Sequence, residues 1–283
     1  MPEAHCTHCR EPHAGTQFFG EPEYRRSLDG LQIAEVHHRA GCDVPRHAHT
    51  SAFVSVLLTG RYQSRFGNTV AEFEPGRAVW HEGGFDHEDS IAAGGARFLC
   101  VEVDDRRLAC LRDYHPRSPA SQTLDDRASF ALLRLFAANR ASDDDLSIEA
   151  LGAEFLGLMC EPDCSADEGR APWLDRVCDR ITCAPGDRAS LSELAAIAAV
   201  HPSHLARSFR ARYGCSVGEY ARAYRLTRAW HLLAGRRLPV AEVAYSLGYA
   251  DQSHFTREFS RQLAIPPARA RRLLRQGGAV LDA

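Results

Sequence analysis

The chain carries one helical pattern twice. Gly248-Tyr249-Ala250-Asp251-Gln252-Ser253-His254-Phe255-Thr256-Arg257-Glu258-Phe259 repeats in looser form, about fifty residues earlier, as His201-Pro202-Ser203-His204-Leu205-Ala206-Arg207-Ser208-Phe209-Arg210, and each copy follows a short apolar helical pattern. A helix that ends in a tight turn and is followed by a second, amphipathic helix is a helix-turn-helix, whose second helix packs on the first and keeps its outer face free. Two such units confine the C-terminal part of the chain to a compact all-helical domain.

Local chemistry supports both copies. In the second, Val240, Val243, Ala244 and Leu247 recur at helical spacing, and Pro239 is read in the first helical turn, where a missing amide is tolerated. Gly248 is expected to stop that helix with positive φ, Asp251 to cap the next, and Phe255 and Phe259 to face inward. In the first, Ser190 and Glu193 have capping-box spacing, Leu191, Leu194, Ala195 and Ala198 form the apolar stripe, and Pro202 opens the second helix. Arginine can grip guanine through two hydrogen bonds, glutamine can do the same with adenine, and serine and threonine adapt to either. The expected DNA-contacting residues are Ser203, Arg207, Arg210, Gln252, Ser253, Thr256, Arg257 and Arg261, and Ala206 leaves the first copy with fewer readers. Residues 216–234 read as one connecting helix, on the order of 27 Å long, a scale suited to holding two readers in successive major grooves about 34 Å apart.

Charge separates along the chain in the same sense. Residues 171–283 hold 17 arginines and 9 acidic residues, while residues 1–170 hold 17 arginines and 28 acidic residues. A basic half attracts phosphate by counterion release and an acidic half repels it. The alternative, a helical bundle with an accidental arginine stripe, does not account for that division.

Residues of roughly 171 to 275 resemble the DNA-binding domain of the AraC/XylS family of bacterial transcription regulators. The resemblance rests on His204-Leu205-x-Arg207-x-Phe209, on Tyr224-Arg225-Leu226-x-x-Ala229 with Leu232-Leu233, and on Asp251-Gln252-Ser253-His254-Phe255. Ala264 stands where the family usually has glycine, and Ala270 where an aromatic usually follows Pro266-Pro267. The resemblance implies binding to double-stranded promoter or operator DNA, control by a small-molecule or metal effector, a homodimer and, for an activator, contact with RNA polymerase.

The N-terminal half reads differently. Short apolar runs at 32–36, 53–58, 78–81 and 97–103, separated by Gly, Asp and Pro, predict strands of a sandwich or barrel. Gly41, His47-Ala48-His49, Phe53 and Gly60, then Gly76, Gly84 and His87, resemble the two motifs of the cupin fold. That resemblance implies a metal site in which His47, His49 and His87 occupy the histidine positions and Phe53 replaces the carboxylate. Two histidines two residues apart on a strand share a face, and a three-imidazole site suits a transition metal, zinc foremost. A pocket in which the histidines only form hydrogen bonds stays open beside it.

Cys6 and Cys9, interleaved with His5 and His8, have metal-ligand character and could add thiolates to that site; a loose chain end is the plainer reading. Ten cysteines in a chain of this length read mainly as reduced thiols, metal ligands or buried small apolar residues. No basic-then-apolar leader and no run of 18 apolar residues is present, so a cytoplasmic protein without membrane contact is expected. Apolar residues at helical spacing in 125–140 and 146–160 predict a hairpin of helices with more apolar surface than a barrel covers, hence a dimer contact.

The expected organisation is α+β and multidomain. It comprises a flexible arm (1–14), a cupin-like effector-binding barrel (15–115), a helical dimerisation hairpin (116–160), a linker (161–172), an all-α double helix-turn-helix domain (173–275) and a tail (276–283). The expected function is sequence-specific transcription regulation, without enzymatic activity. The competing reading is a metal-dependent, oxygenase-like cupin enzyme joined to an autoregulatory DNA-binding domain.

Overall fold

The computed structural model describes residues 18–28, 30–114, 121–141, 144–159, 172–235 and 238–276. The arm carrying Cys6 and Cys9, nearly all of the linker and most of the tail lie outside the described residues.

Two long strands organise the N-terminal half. β4 (Phe53–Phe66) and β7 (Asp86–Val103) pair antiparallel. Around them stand β1 (Glu21–Leu28), β2 (Leu31–His38), β3 (Asp43–Ala48), β5 (Thr69–Phe73), β6 (Ala78–His81) and β8 (Ser121–Thr123). The order across the sheet is β1-β2-β7-β4-β6-β8, with β3 on β7 and β5 on β4. Successive side chains alternate between faces. Ile33, Val54, Val56, Trp80, Leu99 and Val101 therefore enter one apolar cluster, and Val36, Phe53, Leu57, Phe73 and Phe98 enter another on the opposite face. With both faces buried, the strands read as unbroken apolar runs.

The register of β4 on β7 shifts between Leu57 and Thr59 and again between Gly60 and Tyr62. At this crossing Gly60 has φ 92°, and a Cβ there would overlap the Gly95 carbonyl oxygen and lie 2.8 Å from Ala96 Cα. Only glycine tolerates both the φ and the approach.

The sheet departs from expectation in extent. The predicted strands fall inside β2, β4, β6 and β7, but β4 and β7 run much further, and β1, β3, β5 and β8 add to them. β8 pairs with β6, so the sheet reaches beyond residue 115 into the segment read as a helical hairpin. Three residues carry no measurable period, which is why this strand escapes a pattern search. A helix, α1 (Asp105–Tyr114), also follows β7 directly.

The hairpin is α2 (Asp126–Ala141) and α3 (Asp145–Met159). On α2, Phe130, Leu132, Leu133, Leu135 and Phe136 are all buried, on more than one face. On α2 the apolar surface is covered from within the chain: α2 lies against the sheet, α3 and α7 (Val217–Gly235), and Phe136 meets Trp230 edge-on at 5.5 Å. α3 buries Ile148, Gly152, Phe155 and Leu156 and leaves Leu146 exposed.

The C-terminal half contains α4 (Pro172–Cys183), α5 (Leu191–Ala198), α6 (Pro202–Tyr213), α7, α8 (Val240–Ser246), α9 (Gln252–Leu263) and α10 (Pro267–Gln276). It has two cores. Leu174, Val177, Leu194, Leu205, Phe209 and Tyr220 close the first unit. Trp230, Val243, Phe255, Phe259 and Ile265 close the second, and their cluster is continuous with α2 and the outer face of the sheet.

An ion network crosses that joint. Glu35, fully buried, accepts from Arg140 Nε at 2.8 Å and Nη2 at 2.6 Å and from Arg97 Nη2 at 3.0 Å, while Arg97 Nη1 donates to the Leu273 carbonyl of α10 at 2.7 Å.

Capping follows the sequence closely. The Ser190/Glu193 box forms in both directions, Pro202 opens α6, Asp251 accepts from the His254 amide at 2.7 Å, and Gly248 has φ 74°. Pro239 differs from expectation: it is the residue before the first helical position, with extended ψ of 148°, and makes no side-chain cap bond. Both departures from the family pattern are accommodated. Ala264 caps α9 at φ 58°, the conformation that glycine adopts more cheaply, and Ala270 is fully buried. Cys100, Cys178, Cys183 and Cys215 are free thiols, whereas Cys42 is disulfide-bonded, unlike the reduced state expected.

Candidate nucleic-acid interface and histidine pocket

Each recognition helix has a buried edge and an open one. On α9, Phe255, Phe259 and Leu263 are buried, while Gln252, Ser253, Arg257 and Arg261 are exposed and Thr256 is half-buried. Ser253, Arg257 and Arg261 are spaced four apart, so they form one stripe. On α6, Leu205 and Phe209 are buried, and Ser203, Arg207 and Arg210, four and then three apart, are exposed. The eight residues singled out in the sequence are thus brought onto two outward stripes.

Their freedom differs. No ion pair engages Arg207, Arg210, Arg257 or Arg261 among the described residues, so four guanidinium groups stand ready for an anionic surface. Ser203 is engaged locally: its hydroxyl lies 2.8 Å from His201 Nδ1, which also accepts from the Ser203 amide.

The two units touch. Gly186, in the loop between α4 and α5, abuts Gly248 in the turn between α8 and α9. Arg188 lies over the Tyr249 ring at 4.8 Å, and Tyr224 of α7 donates to the Thr182 carbonyl at 2.9 Å. Helix α7 and this contact together hold the two stripes on one frame.

Residues 194–273 match a family described as a helix-turn-helix domain. The C-terminal half is thus similar to helix-turn-helix domains over that stretch. It is 34% identical over 88 residues to the HTH-type transcriptional regulator GlxA of Rhizobium meliloti, covering 31% of this chain and 26% of that protein. It is 35% identical over 68 residues to the probable transcription factor PqrA of Proteus vulgaris, covering 24% of this chain and 56% of the relative. The right origin-binding protein of Escherichia coli is 36% identical over 83 residues, covering 29% of each. The chain therefore spans between about a quarter and a half of the length of these relatives. Among solved structures, ToxT from Vibrio cholerae aligns over 88% of this chain and 99% of its own at 11% identity with a TM-score of 0.37. The C-terminal domain of the Geobacillus stearothermophilus response regulator AraT aligns over 37% and 88% at 26% identity with a TM-score of 0.35.

The three N-terminal histidines also meet. β3 pairs with β7 so that His47 stands opposite His87, and His49 follows two residues after His47. Their candidate ligand atoms all lie within 4.8 Å of one another. His47 Nδ1 is 2.8 Å from the Pro45 carbonyl, which can only accept, so Nδ1 carries the proton and Nε2 is the acceptor in the 3.1 Å hydrogen bond with His49 Nε2.

Phe53 stands beside the histidines as a wall. Its ring lies 4.4 Å from His49 and 4.6 Å from His81, and Phe18 and Phe19 close over His49 and His47 at 5.6 and 4.3 Å.

The further residues that line the pocket include His38, His81 and Asp89. Sequence reasoning missed them. His81 faces Phe53 in register across β6 and β4, and Asp89 shares a face with His87 on β7, two residues on.

Burial, then the neighbouring imidazoles, pushes His49 down to about 3; burial, then His87, takes His81 to about 3. Burial also lowers His38 to about 4 and lowers His47. Neutral imidazole is the form that binds metal. At His87 burial pulls the other way but is outweighed by Asp89, whose carboxylate keeps that imidazole above its ordinary value.

The cavity measures about 50 Å³. A water molecule's share of liquid volume is about 30 Å³, and pockets for organic ligands begin near about 300 Å³. The space fits an ion better than a sugar. Among the described residues buried His49 Nδ1 and His38 Nδ1 have no hydrogen-bond partner, and buried polar atoms are rarely left so without a ligand to explain them. The three imidazoles, the space and these atoms fit a transition metal.

Proposed function

We propose that this chain is a DNA-binding transcription regulator of the AraC/XylS type, in which α6 and α9 enter successive major grooves. The observation that carries the reading is the pair of exposed Ser/Arg stripes, Ser203-Arg207-Arg210 and Ser253-Arg257-Arg261 with Gln252 and Thr256, held on one frame by α7 and the Gly186–Gly248 contact. Phosphate is met by a helical half that carries more arginine than acid, and base edges by the stripes.

The N-terminal sheet is the effector domain, cupin-like in its motif spacing. His47, His49 and His87 would hold a transition metal, with zinc suited to the imidazole set. The metal itself is then the effector, or part of it, since the cavity has little room for more. Among the described residues no helix is long and apolar enough to cross a membrane. A chromosomal operator places the protein in the cytoplasm.

The test is a selected operator and fluorescence anisotropy. Arg257→Ala is expected to lose about 1–3 kcal/mol of specific binding and to relax the preference at one base pair. An equal loss on random DNA would show that Arg257 touches phosphate, and unchanged binding on both would remove α9 from the interface. Elemental analysis of protein before and after chelation tests the histidine pocket separately.

A further inference from the structure

The two reading stripes leave the ground between them unassigned. Helices that enter successive major grooves from one side stand about 34 Å apart. Between them the duplex turns its minor groove toward the protein, edged by the phosphates of both strands. Groups placed between α6 and α9 therefore meet backbone rather than base edges.

A cavity of about 380 Å³ occupies that ground: Ala206 and Arg210 of α6 border it beside the first stripe, and Arg188 and Arg225 border it toward the second unit. Its inner wall is apolar, with Ile181, Leu194 and Val217 buried. Four arginines and one carboxylate line the space, and that carboxylate, Asp187, is already bonded to Arg180. Among the described residues no ion pair engages Arg188 or Arg225.

Both of these arginines gather at the joint between the units. Arg188, in the loop that carries the Gly186–Gly248 contact, lies over the Tyr249 ring at 4.8 Å. Arg225, on α7, stands close to the hydroxyl of the same tyrosine: burial raises that hydroxyl above its ordinary value, and the Arg225 charge pulls against it. Two guanidinium groups gathered on one ring repel each other. Among the described residues the buried Nε of Arg225 has no hydrogen-bond partner, and a buried donor is rarely left so without an acceptor to explain it. A phosphate between the two groups supplies acceptor oxygens and offsets the repulsion, and the planar guanidinium matches phosphate oxygens two at a time.

We propose that Arg188 and Arg225 grip a phosphate of the DNA backbone between the two half-sites. The inference rests on the DNA-binding reading of the stripes and adds to it a contact that is blind to sequence. It also makes bound DNA part of the joint, since a loop of the first unit, α7 and the Tyr249 turn of the second unit converge on one phosphate. A duplex that carries both half-sites then fixes the separation of α6 and α9, and a single half-site does not.

The experiment uses the full-length protein with Arg188→Gln, Arg225→Gln and the double variant, and measures affinity by fluorescence anisotropy over a series of salt concentrations. The duplexes are the selected two-site operator, a random duplex of equal length, and a duplex that ends at the inner edge of one half-site. On the first two alike, the double variant is expected to lose affinity about tenfold or more and to show a salt slope lower by about 0.9, the value of one phosphate contact. Binding to the short duplex should stay unchanged. Ethylation of the central phosphates should weaken wild type and leave the double variant unaffected. Near-UV circular dichroism checks folding; Arg188 is exposed, and if Arg225→Gln misfolds, Arg188→Gln decides by a smaller loss in the same pattern. A folded variant with the wild-type slope on the operator, or central ethylation that weakens both proteins equally, would overturn the clamp while Arg257→Ala still marks the stripes as readers. Wild type that selects no operator would overturn the DNA-binding reading itself.

Discussion

Replacing Gly248 by alanine tests how the two DNA-reading units are held. Gly248 has φ 74°, and an added Cβ would overlap the Gly186 carbonyl oxygen and lie 2.7 Å from the Gly186 carbonyl carbon. The left-handed backbone costs an L-residue about 1–2 kcal/mol, and overpacking that forces backbone shifts costs about 1–3 kcal/mol. The sum is about 2–5 kcal/mol, most of it falling on the contact between the units. Gly186→Ala is the control: its φ is unremarkable, and its Cβ would meet the Ser246 carbonyl oxygen at 3.0 Å, so a few tenths of an ångström relieve it, at about 1 kcal/mol or less. Urea unfolding followed by tryptophan fluorescence reports on both units, because Trp173 belongs to the first and Trp230 to the second. DNA binding adds the spacing readout: Gly248→Ala should weaken binding to a two-site operator more than to a single half-site. A Gly248→Ala loss below about 1 kcal/mol, or a Gly186→Ala loss equal to it, would refute the reasoning.

The same backbone argument with opposite sign applies to Ala264, at φ 58° as the cap of α9. Ala264→Gly is expected to raise stability by up to about 1 kcal/mol in urea unfolding, since relief of the left-handed penalty exceeds the entropy lost by glycine. Glu35→Leu leaves Arg97 and Arg140 without their buried counter-charge, and should cost about 3 kcal/mol, the low end for a broken buried pair because Glu23 still meets Arg97 at 2.8 Å. Limited proteolysis should then cut faster near α10. Ser190→Ala removes one half of the α5 capping box and should destabilise the first unit by about 1 kcal/mol. Glu193 is held below its ordinary value by the backbone and then the side chain of Ser190. Its contribution is therefore full above the ordinary glutamate value of 4.5 and is lost as pH falls through the folded value. An NMR titration of Glu193 should show its midpoint rise toward the ordinary value in Ser190→Ala.

The recognition helices were legible because every signal that defines them is local. Apolar spacing, a serine or aspartate cap and a glycine with positive φ lie within a few residues of one another, and Phe255, Phe259, Leu205 and Phe209 turned inward as their spacing required. The sheet was legible only in part. Residues 53–58 are buried on both faces and show no alternation, so the run ends in sequence where its apolar stretch ends, while β4 continues to Phe66 with one face open. His47 and His49 declared themselves through their H-x-H spacing. His81 and His38 did not, because the β4–β6 and β2–β7 registers bring them to the pocket, whereas Asp89 stood two residues from His87 on one strand, a same-face spacing that could have been read. Helix α2 posed the opposite problem. Its apolar surplus was plain, but an apolar face does not name its partner, and α7 of the same chain packs on α2, one of the two helices read as a dimer contact.

That covering constrains how the proposed effector site could act on DNA. The sheet, α2 and the second helix-turn-helix share one core, and Arg97 of β7 bonds the α10 backbone directly. β7 carries His87 ten residues before Arg97, on either side of the irregularity where Ile91 and Ala96 stand opposite Tyr62 and Gly60, so the pocket and the α10 contact share one strand and its partner β4. The second unit is therefore part of the body that holds the pocket. The first unit has its own core and meets that body through α7, the Gly186–Gly248 contact and the Arg127 bond to the Tyr213 carbonyl. An effector changes DNA affinity only by binding one arrangement more tightly than another. The arrangements with the fewest contacts to exchange are those that move α6 relative to α9, and the joint across which they move is the glycine contact that Gly248→Ala disrupts.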